Sequence, residues 1–360
     1  MEIRYFTEGN LTNFGDDINR WLWEELAPGR WDRRNGIGFA GIGTIIRSDL
    51  LLPSSKWIVF SSGAGYLPPP KDFGNSQWKI VALRGPLTCQ VLGCPPGMSV
   101  IDGAALLRCL PRFQPLPQSE RSGIAFMPHY ESLRTGNWKE VCRQCGFVFL
   151  DPHAPSEITV EQIRRSKLVL ADAMHAAIVA DVFRVPWIPL MTSPHISTFK
   201  WLDWTLTVDV PYRPIPLPPS SAVEVLRSRT VGWYGERYSM PVPTAEGALS
   251  DYYALRRRKE KYWWPSYAKW CRRLVSSIPR KIAASPHSSS WKHTRDKPHM
   301  ERASAALRLA SISEPFLSRE ETLADRIDDL QSRFHALMLT SEEALFADRS
   351  ACDGSLVEAV

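Results

Sequence analysis

His175 lies in the stretch 168–190, LVLADAMHAAIVADVFRVPWIPL, where an apolar run gives way to small residues that favour a helix. Residues 168–170 are typical of a strand buried in a parallel sheet, and 175–183 are typical of the helix that follows it. Ligands of open α/β sheets bind at such strand ends, where unpaired N–H groups of the next helix attract anions. Since histidine exchanges protons near neutral pH, His175 is a candidate catalytic residue.

Similar features follow other apolar runs in the first third of the chain. They are Asn13, Gly15, Asp16, Asp17, Gly43, Gly63, Arg84 and Asp102. Asn and Asp cap helices, glycine lets the backbone approach a ligand, and arginine clamps a carboxylate or phosphate at two points. We interpret Asp16 and Asp17 as acid/base candidates and the others as substrate-binding residues. Helix capping and a solvated acid are the alternative for the aspartates.

The second half contributes His129, in FMPHY, and the pair Arg164 and Arg165, just before the strand that leads to His175. A single histidine of this kind is more often structural than catalytic. His129 and His175, however, both follow strands of one predicted sheet, so they should lie on one rim. Cys142 and Cys145 form a lone CxxC without a second pair, so we expect no metal site.

These residues require a framework of alternating strands and helices. Strands are predicted at 3–7, 38–46, 57–61, 79–83 and 99–101, and again at 123–130, 147–150, 167–170, 187–191 and 204–208. Helical patterns separate several of these runs, as expected for α/β folds with parallel sheets. We therefore predict two Rossmann-like domains, 1–115 and 116–215, followed by a basic, aromatic helical extension over 216–360 that is partly flexible.

Composition narrows the class of protein. With 360 residues, 44% of them hydrophobic, the chain is long enough for two packed domains. No apolar run approaches the length of a membrane span, and the start lacks the pattern of a signal peptide. Seven cysteines, odd in number and scattered, are typical of reduced thiols. We expect a cytoplasmic protein.

The charge is concentrated late in the chain. Residues 251–300 contain thirteen Lys or Arg against three Asp or Glu, and aromatic residues alternate with the bases. Such a segment suits the surface of an anionic membrane, and the same ingredients occur in nucleic-acid grooves and in solvated helical faces. We predict peripheral membrane contact through 251–285 and no nucleic-acid partner.

Seven motifs in order reveal a resemblance: YFTEGNLTNFGDDIN, GIGTII, VFSSGAGY, ALRGPLT, VIDGAALL, FMPHY and ADAMHAAIVADVFRVPWIPL. Together they resemble the polysaccharide pyruvyltransferase family, above all the branch that modifies exopolysaccharides such as succinoglycan or xanthan. The resemblance covers residues 1 to about 210. It implies a glycosyltransferase-B-like arrangement of two Rossmann-like domains around a cleft.

The implied reaction transfers pyruvate from phosphoenolpyruvate to two sugar hydroxyls, giving a cyclic ketal and phosphate. The donor is a substrate, so no cofactor is expected, and the acceptor is a saccharide carried on a membrane lipid at the cytoplasmic face. His175 would contact the donor and His129 would share the acid/base work. Asp16 or Asp17 would act on the acceptor side, and Arg84 would bind the donor's anionic groups.

The chain departs from the family at one position. Many members have Arg-Leu-His or Arg-Met-His where this chain has Ala173-Met174-His175, so Arg84, Arg164 and Arg165 are the substitutes considered. Two alternatives stay open. One is a nucleotide-sugar glycosyltransferase that uses Asp172 or Asp181 as a ribose-binding carboxylate, and the other is a non-catalytic glycan-binding or scaffold protein.

Overall fold

The computed structural model describes residues 1–7, 13–31, 36–51, 56–283 and 288–347, without the side chains of 276–283, 288–293 and 342. Strands β1 to β9 of the described chain are Glu2–Arg4, Ile37–Ala40, Lys56–Ser62, Trp78–Leu83, Ile124–Met127, Val148–Phe149, Leu168–Ala171, Trp187–Met191 and Ile215–Pro216. Helices α1 to α14 are Phe14–Ile18, Leu22–Leu26, Pro86–Leu92, Tyr130–Leu133, Trp138–Cys145, Ser156–Arg164, Met174–Val182, Thr198–Thr205, Ala222–Thr230, Ala245–Lys259, Trp264–Ala283, Ser288–Ala310, Glu320–Leu339 and Glu342–Leu345. A 3₁₀ helix covers Gly103–Cys109.

The strands of the described residues form two parallel sheets, ordered β1-β2-β3-β4 and β6-β5-β7-β8-β9. Strands such as β3 and β7 are buried on both faces because helices cover both sides of a parallel sheet. The predicted α/β class with parallel sheets is confirmed. The glycosyltransferase-B-like arrangement and the domain boundaries after residues 115 and 215 stay predictions.

Two predicted strands are wrong. Residues 204–208 begin within α8, which Ser197 caps by accepting from the Lys200 N–H, and β9 is the fifth strand of the second sheet. Apolar residues at 199, 201, 202 and 204 are buried in α8, and such a short apolar run fits a strand or a helix equally well. Residues 99–101 contribute a single bridge, between Leu83 and Ser99.

The C-terminal helices cover the sheets. Phe334 of α13 packs on Phe60 of β3 and on Trp23, with ring centroids 5.4 and 5.8 Å apart. Met300 and Leu307 of α12 share a core with residues of α5 and of the second sheet. The described part of 216–360 is therefore largely helical and is packed against both sheets. That part of it is flexible stays a prediction.

Buried contacts join the two halves. One hydrophobic cluster contains residues of both sheets, and Asp17 of α1 accepts from the Ser156 N–H at the start of α6. Cys89, Cys109, Cys142, Cys145 and Cys271 carry free thiols. Cys94 takes part in a disulfide bond, so the expectation of reduced thiols is wrong for this residue.

Candidate active site

A cavity of about 90 Å³, the strand-end cavity, lies between the two halves and is lined by residues that follow strands of both sheets. Its walls include Phe6, Asn13, Gly15, Asp16, Gly43, Thr44, Arg47 and Tyr66 from the first half and His129, Tyr130, Ala173, Met174, His175 and Lys200 from the second. Parallel strands bring their carboxyl ends to one edge, which explains why residues so distant in sequence meet here.

Asp16 lies at the start of α1 on one wall. Asn13 caps this helix by accepting from the Asp16 N–H at 3.2 Å, and the Asn13 amide also donates to the Asp16 carboxylate. Gly43 has a φ of +119°, and a Cβ there would lie 2.8 Å from Oδ1 of Asp16. This Oδ1 is buried and has no hydrogen-bond partner among the described residues. Burial raises the pKa of Asp16, although His175, Asn13 and Lys200 partly oppose the rise.

His175 occupies the first turn of α7 on the opposite wall. Its Nε2 lies 3.6 Å from Oδ2 of Asp102, which is fully buried, and its ring packs on the backbone of Gly15. A Cβ at Gly15 would come within 1.9 Å of Nδ1, so only glycine leaves room for the ring. Burial alone would raise the pKa of Asp102, but His175 and Arg84 together hold it below its ordinary value.

His129 lies directly after β5. Its N–H donates to Asp172 at 2.7 Å, and its Nδ1 accepts from the Glu131 N–H at 3.4 Å as the cap of α4. Burial, followed by the charge of Lys200 and of other cations, holds the pKa of His129 well below its ordinary value. The imidazole is therefore neutral near pH 7, and because Nδ1 accepts from the Glu131 N–H, its Nε2 carries the proton and is a hydrogen-bond donor.

Positive charge reaches the cavity from Lys200 and Arg47. The Lys200 ammonium donates to the Tyr66 hydroxyl at 3.1 Å, and the Arg47 guanidinium makes two 2.6 Å contacts with Asp49. The first turn of α7, a nine-residue helix, adds the positive end of its dipole through residues 173–175. The cavity thus combines two imidazoles, one buried carboxyl group and the side chains of Lys200 and Arg47. This combination suits proton transfer on an anionic substrate.

Half of the predicted site residues line this cavity: Asn13, Gly15, Asp16, Gly43, His129 and His175. Arg84 does not line it. Its fully buried guanidinium donates to Asp203 at 2.9 Å, to the Thr44 hydroxyl at 2.7 Å and to the Ala64 carbonyl, and it packs on Gly63. Arg84 and Gly63 therefore position the loop that carries Thr44, and the prediction that they bind substrate is not supported.

The remaining predicted residues also lie outside the cavity lining. Asp17 accepts from the Ser156 N–H and so links α1 to α6. Asp102 caps the 3₁₀ helix, and its Oδ2 lies 3.6 Å from Nε2 of His175. Arg164 and Arg165 both pair with Glu161 on α6. Asp102 is thus a positioning residue, and the two arginines do not replace the cation that Ala173 lacks.

The carboxylates considered for ribose binding are fully buried and already bonded. Asp172 accepts from the N–H groups of His129 and Thr192 and from the Thr192 hydroxyl, and burial raises its pKa to about 6. Asp181 accepts from the Trp187 indole and from Ser318. Neither carboxylate is free to bind a nucleotide.

Sequence reasoning missed Lys200, Arg47, Tyr66 and Tyr130. Two of these residues could have been found from the motifs, because Tyr66 ends VFSSGAGY and Arg47 directly follows GIGTII. Lys200 lies in α8, which follows β8 and was not predicted as a helix, so its position in the cavity could not be inferred. Within the described residues, no group of three or more His, Cys, Asp or Glu is arranged to hold a metal ion.

The basic, aromatic segment forms α10 and α11. On α11, Trp264, Ala268, Cys271 and Val275 pack against Val231 and Tyr234. Tyr267, Trp270 and Leu274 of this helix are exposed, as is Trp263 directly before it. In the part of the chain that the structure describes, none of the helices has the length and apolar character needed to cross a bilayer.

Comparison with known proteins gives one informative match. The chain is 32% identical over 304 residues to the succinoglycan biosynthesis protein ExoV of Rhizobium meliloti strain 1021, covering 84% of this chain and 93% of the relative. No family model and no solved structure matches the chain.

The fold, the strand-end cavity and this similarity define an α/β enzyme of the transferase class. The chain belongs to the polysaccharide pyruvyltransferase family, in its succinoglycan-type branch. The resemblance carried by its seven motifs is confirmed.

Proposed function

We propose that the protein transfers pyruvate from phosphoenolpyruvate to two hydroxyls of an exopolysaccharide repeat, forming a cyclic ketal and releasing phosphate. The observation that carries the proposal is the strand-end cavity, where His175, Asp16 and Lys200 meet at the start of α7. Phosphoenolpyruvate is a small anion with a carboxylate and a phosphate. The N-terminus of α7 and the half-buried ammonium of Lys200 offer positive charge to both groups.

The first chemical step adds a proton to the methylene carbon of the donor. Asp16 is suited to supply it, because its raised pKa favours the protonated carboxyl group and its Oδ1 has no partner in the described chain. Protonation places positive charge on C2, which the bound carboxylate and phosphate stabilise. This assigns Asp16 to the donor, rather than to the acceptor as its sequence position suggested.

The second step forms the bond between C2 and a sugar oxygen. The Asp16 carboxylate left by the first step is suited to accept the hydroxyl proton, and His129, whose Nδ1 accepts from the Glu131 N–H, is suited to orient the acceptor by donating a hydrogen bond from Nε2. The C2–O bond to phosphate then breaks, and the second hydroxyl attacks C2 to close the ketal. The two sugar hydroxyls together release two protons. One restores the proton that Asp16 gave to the methylene carbon, and the other leaves on phosphate. His175 is suited to stabilise the departing phosphate because Asp102 holds its ring in place.

Lys200 supplies the cation that the chain lacks at Ala173. Both residues line the same cavity, and Lys200 approaches from α8 of the second half. The cavity therefore contains a cation, Lys200, and three groups that exchange protons, Asp16, His129 and His175. This set supports an enzyme rather than a scaffold protein. The occupied carboxylates of Asp172 and Asp181 argue against the nucleotide-sugar alternative.

Turnover tests this proposal. Purified protein is incubated with phosphoenolpyruvate and a succinoglycan repeat oligosaccharide from which pyruvate has been removed, and phosphate release and product mass are followed. The proposal expects one phosphate for each ketal, with a mass increase that corresponds to pyruvate minus water. Glycosyl transfer from a UDP- or GDP-sugar, without reaction of phosphoenolpyruvate, would contradict it.

The acceptor is proposed to be lipid-linked and to be met at the cytoplasmic face of the membrane. The exposed aromatic residues of α11 support this, since Trp270 is 61% exposed and bases such as Lys269 and Arg273 are close in sequence. Aromatic rings favour the interface, and bases favour anionic headgroups.

A flotation assay with vesicles of phosphatidylglycerol and phosphatidylcholine tests the membrane contact. The triple variant Trp263→Ser, Tyr267→Ser, Trp270→Ser should lose most of its binding. The matched control replaces Leu309, Ile312 and Leu339, which are also exposed but lie on α12, α13 and the loop between them, with serine. Equal flotation of the two triple variants would refute the assignment to α11.

A further inference from the structure

A second cavity of about 280 Å³, the tyrosine cavity, shares a wall with the strand-end cavity. The shared wall consists of Phe6, Arg47, Tyr66, His129 and Tyr130. A larger cavity of about 350 Å³ lies against α10, but it shares no lining residue with the strand-end cavity. A substrate that extends from the reacting groups would therefore enter the tyrosine cavity.

The tyrosine cavity is lined by aromatic rings. Tyr66 and Tyr238 meet edge to face with their centroids 5.0 Å apart, and Tyr130 lies against His129 with centroids 4.6 Å apart. Sugar rings present flat faces of C–H groups, which pack well on the negatively polarised face of an aromatic ring. Aromatic walls with a few fixed polar groups are typical of small-molecule sites.

His195 lines this cavity with a ring nitrogen that makes no hydrogen bond within the described chain. The His195 side chain is 7% exposed, and its Nε2 has no hydrogen bond among the described residues. It lies 3.6 Å from Oε2 of Glu236, whose other oxygen contacts Arg272 at 3.0 Å. Burial alone would raise the pKa of Glu236, but His195 and Arg272 hold it below its ordinary value. The cavity thus offers an ionised carboxylate and an imidazole nitrogen to hydroxyl groups.

Lys259 of α10 connects two parts of the wall of this cavity. Its ammonium donates to the Tyr66 carbonyl and to the Tyr238 hydroxyl, both at 3.2 Å, and burial lowers its pKa to about 8. It therefore links the loop after β3 to the segment before α10. Residues of the C-terminal third complete a cavity that the sheets alone leave open.

We propose that the tyrosine cavity is the acceptor subsite, which holds a sugar residue of the acceptor against the joined rings of Tyr66 and Tyr238 and binds its hydroxyls through Glu236 and His195. This inference rests on the proposed function, and it names the place and the residues that select the acceptor. The shared wall at His129 puts the reacting hydroxyls next to the donor. Acceptor choice is thus determined by residues outside the strand ends that carry the chemistry.

Direct binding tests the subsite without requiring turnover. The pyruvate-free succinoglycan oligosaccharide is titrated by calorimetry into the wild-type protein and into Glu236→Gln and Tyr238→Leu. Glu246→Gln, an exposed residue of α10 outside the cavity, is the matched control. We expect a Kd at least tenfold higher in both cavity variants, an unchanged Kd in the control, and an unchanged Kd for phosphoenolpyruvate in all four proteins.

Two outcomes overturn the proposal: no binding of the oligosaccharide to the wild-type protein, or equal binding by the wild type and both cavity variants. Thermal melting verifies that each variant is folded. Failure of the proposed function is a separate result, because it would show as an absence of phosphoenolpyruvate binding while the oligosaccharide comparison still reports on the cavity.

Discussion

The strand-end cavity and the tyrosine cavity each contain a histidine whose Nε2 lies 3.6 Å from a carboxylate. The environments differ. Asp102, beside His175, is fully buried on a 3₁₀ helix, whereas Glu236, beside His195, is partly exposed and also pairs with Arg272. Arg272 neutralises the charge of Glu236, which leaves Glu236 and His195 suited to hydrogen bonding. His175, by contrast, lies in the first turn of α7, where the charge of a leaving phosphate would develop.

The largest expected effect separates the two histidines. His175→Ala should lower kcat by about 10³-fold or more, because a proton-exchanging group and a phosphate contact are lost together. His195→Ala should instead raise the KM for the acceptor and leave kcat nearly unchanged. Steady-state kinetics with phosphoenolpyruvate and oligosaccharide measure both. Equal losses of kcat in the two variants would remove the distinction between the cavities.

Gly15→Ala should act through His175 alone. The new methyl group would lie 1.9 Å from Nδ1, so the ring has to move away from Gly15 and lose its present position 3.6 Å from Asp102. Because a displacement of about 1 Å costs on the order of 10²-fold in rate, we expect a loss of that size. Gly97→Ala, where nothing lies within 4 Å of the added methyl, is the control and should retain full activity. An active Gly15→Ala variant would show that the position of His175 is not critical.

Asp102→Asn should have a moderate effect. Asparagine keeps the capping oxygen for the Ala104 N–H but removes the charge beside His175. We expect about a tenfold loss in kcat and, because position 102 no longer titrates, loss of the acidic limb that protonation of Asp102 gives the wild-type pH–rate profile. A merely structural role would lower the Tm and leave the pH profile in place, which a pH series on variant and wild type distinguishes.

The smallest expected effect concerns stability. Because burial raises the pKa of Asp16, the folded protein binds a proton more tightly than the unfolded chain does, so ionisation of Asp16 destabilises the fold as pH rises through its folded pKa. Asp16→Asn should therefore raise the Tm at pH 7 by about 1–3 °C. This difference should disappear in acid, below the pKa of an unfolded aspartate. A lower Tm at pH 7 would contradict the claim that burial raises the pKa of Asp16.

The sequence predicted the residues that follow regular strands. His129, His175 and Gly43 come shortly after apolar runs, Asp16 starts the first helix after β1, and the parallel sheets bring all four to one cavity. Lys200 could not be placed, because the segment between the predicted strands 187–191 and 204–208 was assigned to no element. Only packing in the core made it a helix.

Arg84 shows why residue type alone misleads. Its position at a strand end suited anion binding, but Asp203, 119 positions later, neutralises it in the core. Such a tertiary contact leaves no local pattern in the sequence. The tyrosine cavity was unpredictable for the same reason, since Tyr66, His195, Glu236 and Lys259 come from four separate segments. Local patterns thus predicted residues that line the strand-end cavity, but not those that line the tyrosine cavity.

The most direct test of the central claim is calorimetric titration of phosphoenolpyruvate into the wild-type protein and into Lys200→Met, with UDP- and GDP-sugars alongside. Lys71→Met, an exposed lysine outside the cavity, is the control. The account predicts saturable binding of phosphoenolpyruvate to the wild type and the control, at least tenfold weaker binding to Lys200→Met, and none of the nucleotide sugars bound. Binding of a nucleotide sugar in place of phosphoenolpyruvate, or an unchanged Kd in Lys200→Met, would contradict it.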